Sequence, residues 1–441
     1  MFKRILVLAL ALLVGQSLIG AGYFLTYKDE AVFDGWKNTT YNGWLFDDTT
    51  EQGTANVPII GTVVVKVNKP RYGAYKITAT VVKNGINKKI TFTGTGMMGS
   101  AADWNAPIPI VADLLSKSNY SLKMEIRICQ QNVWGTLIDG DKSYFFDCGR
   151  NFAADKTTQW AVKVQKYEGQ WSFATYVRAD TGEFNGFAGF TVKIDKKGKA
   201  KVTGTLPDAT KLSFTSQIVL DDNGAHLPFY VQAYKKYGGF GGQLFNLDTG
   251  FGEESISDLS VNLQTKIHSS RCLWTAPGTV PLREGQVFSV NSLLLLYGVL
   301  GWWNGASIPN TGGKINFSPS GNYEMFPFLD SHEGVNGMHR IYGSFVGVDL
   351  SESEFPIVPY SLGLSIIQKK VNVETTTEAM RSKIKMSYNQ KTGAITGGFT
   401  MYSTAGVKFN MKVNGVMVDN IGYLNASCKN KGGIGFMILP K

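Results

Sequence analysis

Apolar and polar side chains alternate with a period of two over short runs, and each run ends in a turn bearing glycine, asparagine or aspartate. Val63, Val65 and Val67 alternate with Thr62, Val64 and Lys66; Asn68 to Gly73 turns; Ala74 to Val82 returns; Asn84-Gly85 turns again; and Lys89 to Thr95 completes a meander. A period of two puts successive side chains on opposite faces of an extended strand, and Asn-Gly favours a tight hairpin. The same order recurs at Phe190–Ile194, Ala200–Leu206 and Lys211–Val219, joined by Asp195-Lys196-Lys197-Gly198 and Pro207-Asp208. It recurs again at Ile384–Tyr388, Ala394–Met401 and Val407–Val413, with a turn at Asn389–Gly393. The last two copies share a Lys-bearing turn ending in Gly, then Thr203-Gly204 or Thr396-Gly397, then Lys211 with Phe214 or Lys408-Phe409. Such meanders cannot bury both faces alone and must close into barrels or stack as sandwiches.

The expected fold is therefore all-β, in two tandem antiparallel barrel or sandwich lobes with very little helix. The 50 glycines are scattered without period and serve turns, and Tyr and Phe suit a pleated, half-buried surface. At 441 residues the chain exceeds one ordinary core. The turn-rich Thr275-Ala276-Pro277-Gly278 places a boundary near 270, giving a segment 1–27, a first lobe 28–270 and a second lobe 271–441. Short helical stretches are expected at Pro109–Lys117 and Val373–Arg381, and Leu293–Leu300 reads as a central strand.

The N-terminal segment sets the expected compartment. Lys3 and Arg4 precede an apolar run from Ile5 to Val14, and Gly20, Ala21 and Gly22 follow. This is the pattern of a secretory signal, while continuation through Leu25 makes the stretch long enough for an uncleaved anchor. Either way the positive-inside bias places residues after 28 beyond the membrane, with membrane contact through this segment alone. Cys129 and Cys148 flank what reads as a hairpin and are expected to close a disulfide in an oxidising compartment; Cys272 and Cys428 are the remaining pair.

Asn185 to Val192, Lys201 to Lys211 and Leu227-Pro228-Phe229-Tyr230 are similar to repeated β-modules of large bacterial envelope and exported proteins. Those modules have a Gly-Thr-Leu-x-Asp-Gly-Thr centre and a Trp-Pro-x-Tyr strand; here Ala209 replaces the glycine and Leu227 the tryptophan. They carry no activity to transfer. The resemblance implies an exported β-architecture and no catalytic residue.

Candidate chemistry is sparse. Only four histidines occur, and His332, Glu333 and His339 form the one cluster with metal-ligating composition, although Gly334 and Gly337 disfavour the helix of an H-E-x-x-H site. No serine sits in a Gly-x-Ser-x-Gly elbow, and no carboxylate pair stands out for glycoside hydrolysis. Tyr237 to Gly242 lacks the Lys-Ser/Thr of a phosphate loop and reads as a hairpin tip. Trp302 and Trp303, beside Asn304, and Trp44 are the candidate ligand-binding rings, since exposed aromatics on a sheet stack on flat ligands. A formal net charge of +10 suits either solubility or an anionic surface, and without a basic helix or Arg cluster no nucleic-acid partner is expected. No cofactor is expected. The resulting expectation is an exported non-catalytic β-protein, structural, adhesive or ligand-binding, with envelope polysaccharide or other surface proteins as partners. A carbohydrate-binding protein is the second reading and a secreted hydrolase the third.

Overall fold

The computed structural model describes residues 38–47, 59–68, 74–84, 89–98, 110–116, 121–129, 132–151, 162, 164–177, 187–206, 210–220, 225–234, 238–246, 268–276, 292–303, 320–327, 362–367, 370–373, 383, 385–389, 391–402, 408–418, 421–428 and 432–440. Between 268 and 373 it describes the backbone, with the side chain of Cys272 alone. Among these residues α-helix is confined to Val162, Val164 and Gln165, with a 3-10 turn at Tyr234, and the fold is all-β.

The first body is a closed barrel of β1 (Thr39–Phe46), β2 (Ile59–Val67), β3 (Tyr75–Lys83), β4 (Ile90–Met98), β5 (Ile110–Ser116), β6 (Leu122–Ile128), β7 (Asn132–Asp139) and β8 (Lys142–Arg150). Each strand pairs antiparallel with the next, and β1 closes on β8. Alternation dictates the interior: in β2 and β6 every second side chain is buried. Tyr41, Val63, Val65, Ile77, Phe92, Leu114, Met124, Ile126 and Phe146 belong to one continuous interior cluster. Within the stretch expected to be helical, Ile110–Ser116 is strand β5, because Ala112, Leu114 and Ser116 alternate inward between β4 and β6.

The second body is a nine-stranded sheet. Its strands are β9 (Gly169–Val177), β10 (Phe187–Ile194), β11 (Lys199–Thr205), β12 (Lys211–Gln217), β13 (Val219–Leu220), β14 (Ala225–Ala233), β15 (Gly238–Asn246), β16 (His268–Ala276) and β17 (Ser292–Trp303), in the order β12-β11-β10-β9-β17-β16-β15-β14-β13. The chain steps from one edge, β12, directly to the other, β13, so the sheet is rolled. At the seam Phe214 stacks on Phe229 with centroids 4.9 Å apart, and the Ser216 hydroxyl donates to the Pro228 carbonyl. Pro228 has no N–H to complete a ladder, which suits it to a seam. Phe173, Phe190, Phe240 and Phe229 form a chain of ring contacts through the interior, at 5.8, 5.3 and 5.0 Å.

The third body is a closed barrel of β18 (Ser320–Pro327), β19 (Leu362–Ile367), β20 (Lys370–Val373), β21 (Lys385–Tyr388), β22 (Ala394–Tyr402), β23 (Lys408–Val418), β24 (Ile421–Cys428) and β25 (Gly432–Pro440). The division differs from the expected lobes. Position 270/271 falls inside β16, which is hydrogen-bonded to β15 on one side and β17 on the other. Leu293–Leu300 lies in β17, a central strand between β16 and β9.

The recurring meander has a shared physical basis in its turn. Asp195 and Asn389 each accept a backbone N–H on the side-chain oxygen, from Lys197 at 2.8 Å and Lys391 at 3.0 Å. Each turn ends in a glycine with positive φ, Gly198 at 71° and Gly393 at 72°. The carbonyls of these glycines accept from Ile218 and Met417 N–H at 2.8 and 2.9 Å. The two Thr-Gly pairs are not equivalent, however: Thr203 pairs with Thr191, four positions before the turn residue Asp195, whereas Thr396 pairs with Ser387, two positions before Asn389, the place that Lys201 and Lys193 hold in the other copy. The turns repeat and the strand sequences do not.

Candidate functional site

The strands that carry the sequence-derived candidates meet at two junctions between bodies. On β1 the odd residues Tyr41 and Leu45 face the barrel interior, which leaves Trp44 and Phe46 pointing outward. Both are nevertheless fully buried: β14 and β15 of the rolled sheet meet Trp44, and Phe46 lies beside it. The Trp44 indole Nε1–H donates to the Gly242 carbonyl at 2.8 Å, and its ring meets His226 edge-on at 6.4 Å. Phe46 stacks on Phe145 of β8 at 6.1 Å. Gln232 donates to the Lys83 carbonyl at 2.6 Å, and the Lys83 ammonium sits 4.4 Å over the Tyr144 ring.

Glycine makes this junction close. A Cβ on Gly239 would lie 2.3 Å from the Tyr230 hydroxyl oxygen, and one on Gly241 would lie 2.8 Å from the Tyr230 ring and 3.2 Å from Ile59 of the first barrel. The Gly-rich segment expected to be a hairpin tip is thus strand β15. Its glycines clear a bed for Tyr230 and for the first barrel. At the other junction a Cβ on Gly189 of β10 would lie 3.2 Å from Gly415 Cα of β23. Phe187 meets Tyr423 edge-on at 5.4 Å, and the Ser172 hydroxyl donates to the Thr392 carbonyl at 3.4 Å.

Burial raises the phenol pKa values of Tyr41, Tyr167 and Tyr230 well above the ordinary value; for Tyr41 the Arg150 guanidinium offsets part of this, and Cys129 adds a smaller upward push. A phenol that holds its proton more tightly when folded contributes stability that is complete below the unfolded value, about pH 10, and lost as pH rises beyond it. Denaturant melts are expected to show constant Tyr contributions below about pH 10 and falling stability above it, with tyrosinate absorbance lagging that of the unfolded chain. Two of these tyrosines, Tyr41 in the barrel interior and Tyr230 on β14, separate by partner. The Tyr41 hydroxyl donates to the Cys129 carbonyl at 3.0 Å, so Tyr41→Phe is expected to cost about 1 kcal/mol. The Tyr230 hydroxyl has no hydrogen-bond partner among the described residues, so Tyr230→Phe is expected to be neutral or stabilising by up to about 1 kcal/mol.

The sequence-derived site residues fare unequally. Trp44 is not an exposed platform; it is the wedge between the first barrel and the sheet. Trp302 and Trp303 end β17, opposite Trp171 and Gln170 in register, and their side chains lie outside the described residues. His332, Glu333 and His339, and the segment 1–27, also lie outside them. The expected disulfides do not form: Cys129, Cys148 and Cys272 are buried thiols. The reason is register. Ile128 of β6 pairs with Val133 of β7, and Val133 pairs with Cys148 of β8. A whole strand separates the two cysteines, a spacing of about 9–10 Å where a disulfide needs less than about 7 Å between Cα atoms. Cys148 instead points its thiol at the Val63 carbonyl, 3.7 Å away across Gly43. Burial, and then the Asp147 carboxylate, hold that thiol well above its usual range and disfavour the reactive thiolate. Sequence reasoning missed His226, Tyr230, Gly189 and Gly415; the one available signal was the glycine alternation at 239 and 241, which marks an unencumbered strand face.

No family model matches the chain, and no curated protein matches it. Among solved structures it is similar to intact Ap-TbpB (N and C lobes), at 11% identity over 92% of this chain and 77% of that one, with a TM-score of 0.19. It is also similar to a protein of unknown function of the DUF3598 family from Nostoc punctiforme, at 10% identity over 60% of this chain and 95% of that one, with a TM-score of 0.14. Likenesses of this degree establish neither a common fold nor a shared activity, and nothing is carried over from either protein.

Proposed function

We propose that the chain is an exported, non-catalytic β-protein of the cell surface or envelope that engages its partners through outer faces. The observation that carries this reading is how the described interiors are used. The first barrel is filled across its width by side chains such as Tyr41, Phe92 and Phe146, and the rolled sheet by stacked phenylalanines. A barrel packed in this way is a scaffold rather than a calyx. Backbone-close, glycine-lined junctions then favour fixed relative positions of the three bodies, as a surface component under load requires. Export is supported by the basic and apolar N-terminal segment and by the resemblance of residues 185–230 to modules of exported proteins. Cysteine usage no longer contributes, since the described cysteines are buried thiols.

Alkaline phosphatase fused after Lys441 tests the compartment, because that reporter needs disulfides formed outside the cytoplasm. Activity is expected with the full chain and is expected to vanish when residues 1–27 are removed. Activity confined to the shortened chain, or absent from both while the fusion accumulates, contradicts export.

A further inference from the structure

We infer that the outer face of β10, β11 and β12 is a docking surface for an anionic polysaccharide bearing carboxylates. This names the partner class for the surface role proposed above and rests on that role for its biological setting, not for its geometry.

The face follows from alternation. In β11 the buried residues Ala200 and Val202 line the core, so Lys199, Lys201 and Thr203 stand exposed on the other side. Lys193 of β10 is exposed on the same face, and on β12 Lys211, Ser213 and Thr215 join it. Register assembles them into rows. Lys193, Lys201 and Thr215 lie directly across from one another, and Thr191, Thr203 and Ser213 form the next row. The hydroxyls of the second row are ordered: Thr191 donates to the Thr203 carbonyl at 3.2 Å, and the Thr203 and Ser213 hydroxyls are 3.4 Å apart. Lys196 and Lys197 are exposed in the adjoining turn.

Lys193 opposite Lys201 is an unfavourable pairing, since like charges directly across a sheet destabilise it. The carboxylates among the described residues of this region are Asp195, whose Oδ1 is already engaged by the N–H groups of Lys197 and Lys199 at 2.8 and 3.0 Å, and the exposed Glu168, which stands just before β9, two positions before the Gln170 that pairs with Lys193. Exposed positions elsewhere mix signs: β6 shows Lys123, Glu125 and Arg127 in turn. Solubility alone calls for such mixing rather than for a single-sign row. Lysines on an edge strand also deter pairing with other chains, but Lys193 and Lys201 lie on strands already paired on both sides.

The chemistry selects among polyanions. Lysines stand about 5 Å apart across strands and about 7 Å apart along β11, interleaved with hydroxyls that donate and accept, which matches carboxylates set along a hydroxylated chain. Among the described residues the face has no aromatic ring on which a base would stack and no arginine fork for phosphate. Nor does it offer an exposed apolar side chain to enter a bilayer interface.

The test uses the purified full chain, immobilised polygalacturonate, neutral dextran, and vesicles of phosphatidylglycerol in phosphatidylcholine. Lys193→Gln/Lys199→Gln/Lys201→Gln is compared with Lys76→Gln/Lys123→Gln/Lys412→Gln, which removes the same charge from exposed positions of the barrels. Binding to polygalacturonate but not dextran is expected, weakened about tenfold or more by the first triple variant and within about twofold of wild type for the second, with a shallower salt dependence only in the first. Equal losses in both variants, no loss in either, no polygalacturonate binding, or binding confined to the vesicles overturns the inference. All four outcomes are independent of the phosphatase result, so a failure here leaves the compartment reading standing.

Discussion

Gly43→Ala is expected to destabilise the first barrel by at least about 3 kcal/mol, a large fraction of the stability of an ordinary domain. A Cβ at position 43 would fall 1.8 Å from the Asp147 carbonyl oxygen and 2.5 Å from Cys148 Cα. Both are backbone atoms of β8, the strand on which β1 closes the barrel. A flexible side chain would swing aside, but here the closing ladder itself must separate. The Cys148 thiol, which reaches across Gly43 to Val63, loses its place as well. Gly140→Ala is the matched control. Gly140 sits in the β7–β8 turn at φ 61° with nothing within 4 Å of an added Cβ, so it carries only the left-handed penalty of about 1 kcal/mol. Denaturant melts of the two variants check the contrast; equal, small losses would mean that β1 does not close on β8.

Trp44→Ala has the second large effect. It empties a fully buried indole site and leaves the Gly242 carbonyl without its donor, an expected loss of about 3–5 kcal/mol. Trp44→Phe keeps most of the apolar volume and is expected to cost about 1–2 kcal/mol for the lost hydrogen bond. Because the indole sits between two bodies, the loss is expected to appear as uncoupling, with the barrel and the sheet melting in separate transitions. A sugar platform would behave in the opposite way: Trp44→Ala would leave the melt unchanged and abolish binding.

These two residues also mark how far the sequence could be read. Alternation at Val63, Val65 and Val67 gives a strand and its buried face outright, since a one-residue slip would expose all three valines. The outer face of β1 that carries Trp44 is set by Tyr41 and Leu45 facing the interior of the folded barrel. Whether that face meets water depends on a sheet whose Gly242 lies 198 positions away, and no local pattern encodes such cover. Gly239 and Gly241 misled for the opposite reason. Lacking side chains, they erase the alternation of a strand whose bareness is what lets Tyr230 and Ile59 approach. The cysteine pairing failed on topology: Cys129 and Cys148 look like the two arms of one hairpin until β7 is placed between them. The boundary near 270 failed because turn residues after Ala276 end a strand without ending a sheet. The lysines of β10 and β11 are plain in the sequence, but the register that sets Lys193 beside Lys201 depends on the hairpin geometry of Asp195 and Gly198.

The arrangement stands on β16 and β17 completing the rolled sheet between β15 and β9. Hydrogen exchange followed by mass spectrometry on the native full chain tests it directly. One continuous nine-stranded sheet predicts that amides of residues 169–177, 238–246, 268–276 and 292–303 are protected together and lose protection together as denaturant rises. Loss of protection divided at residue 270, with 268–303 opening alongside 320–440 and apart from 169–246, would contradict it.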